Sequence, residues 1–96
     1  MINLEETFEK FDDDYIKFEQ VVSPLHVRPD LCAFLLLDKL VPRPGRKMVA
    51  GAEHDEIYLD TDCYALAEVA TEEDILTLTR CGVRYDSEVD SLALFV

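Results

Sequence analysis

The feature that most restricts the fold is a stripe of apolar side chains at the start of the chain. Leu4, Phe8, Phe11, Tyr15, Phe18 and Val22 follow one another at alternating steps of four and three. Side chains three and four apart share one face of an α-helix, so the stripe lies on one side of a single rod. Asn3 offers a cap for the first turn, with Glu6 three residues later as its reciprocal partner. Ser23 and Pro24 end the pattern, because proline pushes the residue before it into extended conformations. The spacing therefore predicts a long N-terminal amphipathic helix over Leu4 to Val22, about 28 Å from end to end. Three phenylalanines and a tyrosine make a poor coiled-coil seam, which favours Leu, Ile and Val. The stripe is expected to pack on the rest of its own domain.

The remaining elements follow from punctuation. Pro29 and Asp30 suit the first turn of a second helix. The unbroken apolar run Leu31 to Leu37, followed by Asp38, Lys39, Leu40 and Val41 before Pro42, predicts a helix that is buried nearly all round. Val41 to Lys47 is a loop carrying Pro42, Pro44 and Gly45. Met48 to Ala52 is an ambiguous segment and the candidate for a fourth strand, and Glu56 to Asp60 alternates like a strand. Asp62 caps a short helix through Val69. Thr71 caps another, with Glu72, Glu73 and Asp74 at its positive end, Arg80 at its negative end and Gly82 just past it. Val83 to Asp86 and Ser91 to Val96 read as a strand pair joined by a polar turn, which docks the C-terminal residues. The expected fold is one small α+β domain over residues 1–96. It has a three- or four-stranded, mainly antiparallel sheet, the long first helix and two or three further helices on one side.

Composition narrows the function. The chain has 96 residues, of which 49% are hydrophobic, enough for a core. Its net charge of −12 excludes a simple electrostatic nucleic-acid binder and disfavours an anionic membrane surface. The acidic N-terminus lacks the basic and apolar regions of a secretory signal. Cys32, Cys63 and Cys81 are an odd set without close spacing, as expected of reduced thiols in a cytoplasmic protein. Many small accessory and regulatory proteins, those of phages and mobile elements among them, are short, dense and acidic in this way.

The charge is arranged in blocks. Residues 1–20 carry a net −5, residues 21–50 a net +3 and residues 51–96 a net −10. On the predicted first helix Glu6 precedes Lys10 and Asp13 precedes Lys17 by four residues, the favourable order for ion pairs. Glu5, Asp12 and Glu19 remain in an unpaired column, with Glu9 and Asp14 beside it. Together with Asp86, Glu88 and Asp90 they are the candidate partner-binding face. Such a row of carboxylates also imitates a row of phosphates. The basic belt is Arg28, Lys39, Arg43, Arg46 and Lys47, of which Arg43 to Lys47 lacks the interleaved aromatics that stack bases and reads as a solvated loop. Opposite charges in separate patches also allow head-to-tail self-association into a homo-oligomer.

Chemistry has one candidate, the run Glu53, His54, Asp55, Glu56. Neighbours on a strand point apart, so only His54 and Glu56 would share a face as the start of a metal or acid–base site. No Gly-rich phosphate loop, paired-cysteine zinc spacing or nucleophile turn is present. The expectation is a non-enzymatic, cofactor-free module that binds one protein partner. The alternative is a nucleic-acid mimic that inhibits a DNA- or RNA-handling protein, and the third reading is a metal binder or enzyme centred on His54.

Overall fold

The first helix stops after two turns. In the computed structural model, which describes residues 1–95, α1 spans Leu4–Lys10 and is followed by 3-10 turns at Asp12–Asp14 and Phe18–Gln20. The long helix to Val22 is therefore not formed. Three successive aspartates are poor helix formers, and they fall where the negative end of the dipole repels them. Tertiary contacts decide the matter. Asp14 accepts bonds from Nε and Nη2 of Arg80, at 3.2 and 3.1 Å. Ile16 takes a left-handed conformation, φ 63°, and donates its N–H to the Thr79 carbonyl. The segment is pulled across the next helix instead of running past it.

The stripe still does most of its packing. Leu4 and Phe8 are buried, while Ile2, Phe11 and Phe18 pack partly buried against the core. Val22 alone is left 87% exposed. Lys10 bridges Glu72 at 2.6 Å, and so serves a neighbouring helix and not its own.

The other elements lie close to their expected positions. α2 is Pro29–Leu40, α3 is Cys63–Val69 and α4 is Glu72–Arg80. Asp62 accepts from the Ala65 N–H. At α4 the Thr71 hydroxyl accepts from the Asp74 N–H while the Asp74 carboxylate accepts from the Thr71 N–H, a complete capping box. Gly82 follows at φ 99°, where a side chain would be strained.

The strands are β1 (Val49–Glu53), β2 (Glu56–Leu59), β3 (Val83–Asp86) and β4 (Ser91–Phe95), all antiparallel in the order β1-β2-β4-β3. The ambiguous segment supplies the fourth strand. The expected continuation of the last strand to Val96 lies outside the described residues. Leu59, Val83, Leu92 and Leu94 face the helices and join Leu36, Leu37, Leu66, Ile75 and Leu78 in one core. The opposite face carries Tyr58, Arg84, Ala93 and Phe95, with Arg84 paired to Glu56 and stacked over the Phe95 ring. One open face is normal for an antiparallel sheet.

α2 departs from expectation in its burial. Cys32, Ala33, Leu36 and Leu37 are buried, but Leu31 and Leu35 are exposed. The helix packs against α4 on one side, and among the described residues no further layer covers the other.

Candidate functional site

Two surfaces carry the residues that matter. The first is acidic and centres on Tyr85. Glu5, Glu9 and Asp12 line a cleft of ≈ 220 Å³ whose walls include Phe8, Tyr15, Val83 and Tyr85. Tyr85 also lines a second cleft, with Glu5, Cys63 and Asp90. Its hydroxyl donates to the Asp90 carboxylate at 2.5 Å, and its ring stacks against Phe8. The donated bond, assisted by some burial, pushes the tyrosine pKa up to about 12. The two acidic blocks, far apart in sequence, thus meet at one aromatic side chain.

The expected face is brought together only in part. Glu5, Glu9, Asp12 and Asp90 adjoin these clefts. Asp14 is half-buried and held by Arg80. Glu19 lies in the second 3-10 turn, exposed, and lines neither cleft. Asp86 is the last residue of β3, and its carboxylate accepts from the Glu88 N–H in the turn that follows. Glu88 itself is exposed. The regular column Glu5, Asp12, Glu19 needed a continuous helix and is not built.

The second surface is apolar. Leu31 and Leu35, one turn apart on α2, are 38% and 45% exposed. The loop before the helix adds Val22, Leu25 and Val27, all exposed. Val22 and Leu25 line a groove with Cys32, Leu36 and Lys39. Arg28 and Lys39, on the same stretch, make no ion pair among the described residues. The remaining basic belt is partly consumed. Asp60 accepts from Arg43 at 3.1 Å and from Arg46 at 2.8 and 3.0 Å, which fastens the 41–47 loop to the end of β2. The chain matches no family model, no curated protein and no solved structure.

His54 sits at the tip of the β1–β2 hairpin with φ 55°, a conformation that glycine or asparagine adopts more readily. It is exposed, and no three His, Cys, Asp or Glu side chains gather into a metal-binding group among the described residues. The cysteines are all free and buried. Burial, then the nearby Asp90 and Asp62 charges, raises the Cys63 pKa to about 11. Burial, then proximity to Cys32, raises that of Cys81 to about 12. Neither is poised as a nucleophile. No helix among the described residues is long and apolar enough to cross a membrane.

The sequence pattern missed the apolar surface. Leu31 and Leu35 looked like core because an all-apolar helix normally is core. The signal that separates them is the shortage of other elements: this chain has too few layers to wrap α2 on every side.

Proposed function

We propose that this protein is a non-enzymatic binding module that grips one protein partner through the outer face of α2 and steers it with its acidic surface. The observation that carries the reading is the uncovered pair Leu31 and Leu35 on a helix whose composition asks for burial on all sides. Val22, Leu25 and Val27 in the loop before the helix are exposed as well, and such apolar exposure favours an interface. Arg28 and Lys39 at its margins suit a partner segment with acidic flanks around apolar anchors, on a body that is otherwise basic and so drawn in by the acidic surface. The carboxylates around Tyr85 act at longer range and set encounter rate more than grip. Three buried, unpaired thiols suit work in the reducing cytoplasm.

The test is affinity capture from source lysate with the intact chain and two variants. Leu31→Ser with Leu35→Ser removes the apolar anchors without touching the core. Glu5→Gln with Glu9→Gln and Asp12→Asn neutralises the cleft rim. The expected result is that the leucine variant loses the wild-type partner, whereas the rim variant keeps it with a slower, less salt-sensitive association. A partner indifferent to the leucines but lost with the rim, and competed away by DNA or RNA, would replace this reading with nucleic-acid mimicry.

A further inference from the structure

The outer edge of β1 is the second unsatisfied feature of the fold. β1 pairs with β2 alone, and all five of its residues, Val49 to Glu53, are exposed. An open edge presents unpaired backbone N–H and C=O groups to any second strand. Ala50, Gly51 and Ala52 offer no bulk to hold one off, and a Cβ built on Gly51 would meet nothing within 4 Å. Edge protection amounts to Glu53 and one bulge between Val49 and Gly51.

The flanking charges say which strand fits. Lys47 precedes β1 and makes no ion pair among the described residues, unlike Arg43 and Arg46. Glu53 stands at the other end of β1 and is likewise unpaired among those residues. We infer that β1 pairs antiparallel with β1 of a second copy of this chain, about a two-fold axis at Ala50. In that register Val49 faces Gly51 of the other copy, and Lys47 of each copy meets Glu53 of the other. The two sheets become one eight-stranded sheet from the four strands of each copy. Two copies each carrying −12 repel overall, so a stable contact must gather the few free cations against acids, as this one does. The interface is separate from the α2 face.

Sedimentation equilibrium of the intact chain over a concentration series tests it, with Lys47→Glu, Glu53→Lys and the double variant. Both side chains are exposed and unpaired in the single copy, so neither change disturbs the fold. The wild type is expected to dimerise. Each single variant weakens the dimer about tenfold, because two symmetry-related pairs turn repulsive together, and the double variant restores it. Hydrogen exchange at Ala50 and Ala52 should slow as the concentration rises. A monomer at every concentration overturns the inference. So does a dimer that ignores the charge swaps, or one that Leu31→Ser with Leu35→Ser dissolves, which would place the contact on α2. Partner capture is read on separate variants, so either proposal can fail alone.

Discussion

Tyr85 and the two cysteines nearest the sheet show how single side chains are held in their neutral forms. Tyr85 donates to Asp90, and its ionisation would set two negative charges against each other. Cys63 lies at the start of α3 with its thiol near the Thr61 and Asp90 carbonyls, and Cys81 caps the end of α4 against Cys32. In all three the folded pKa is raised, so their contribution to stability is complete below the unfolded value and disappears as pH rises towards the folded one. For the thiols that window runs from 9.0 to about 11 and about 12, and for Tyr85 from 10.0 to about 12. The urea midpoint should therefore hold up to pH 9 and fall steadily above it. At neutral pH a disulfide-forming thiol reagent should label the native cysteines far more slowly than those of the unfolded chain. A midpoint unchanged to pH 11, or full labelling of the native protein within the reagent's mixing time, would show that these groups are not buried as described.

At the scale of elements, the break after α1 is the most consequential choice. Arg80 stands at the end of α4 and binds the Asp14 carboxylate with two nitrogens and the Gln20 carbonyl with a third. That single side chain fastens the returning 12–20 segment, which has few other polar ties. Arg80→Met keeps the stem and removes the fork. It should cost about 2 kcal/mol, the usual loss for charge-assisted bonds that leave a half-buried carboxylate without its partner. Chemical denaturation measures the loss, and a cost below the error of the method would mean that Phe11 and Phe18 alone hold the segment. The same element marks where the sequence stops being readable. Caps at Asn3, Asp62 and Thr71, the stop at Gly82 and the terminal hairpin were legible because their chemistry is local. The turn at Asp12–Tyr15 was not, because it depends on an arginine 66 residues away. The burial of α2 was misread for a related reason, since periodicity tells which side chains are apolar and not how many layers exist to cover them. Of the acidic surface, the residue types were legible, but the meeting at Tyr85 required the β3 register against α1.

For the whole molecule, the balance between repulsion and pairing sets stability. A net charge of −12 sits in a body of 30 × 28 × 26 Å. At about 0.01 M salt the screening length is roughly 30 Å, so nearly every charge senses every other; at about 0.15 M it is roughly 8 Å. The attractive contacts are short and mostly sheltered. Asp60 holds Arg43 and Arg46, Asp14 holds Arg80, and Glu56 holds Arg84, each acid at least half-buried. Among the described residues only Lys10 and Glu72 pair with both side chains in the open, where a bridge is worth little. Added salt therefore screens the distant repulsions more than the close attractions, and stability should rise. Relief of about 1 kcal/mol in a domain of this size moves Tm by about 5 °C, so thermal unfolding between those two salt concentrations should show an upward shift of that order. The effect should be present at low protein concentration, where self-association at β1 contributes nothing. A falling Tm would mean that the ion pairs outweigh the excess charge, and that the acids crowded around Tyr85 are better compensated than their formal count implies.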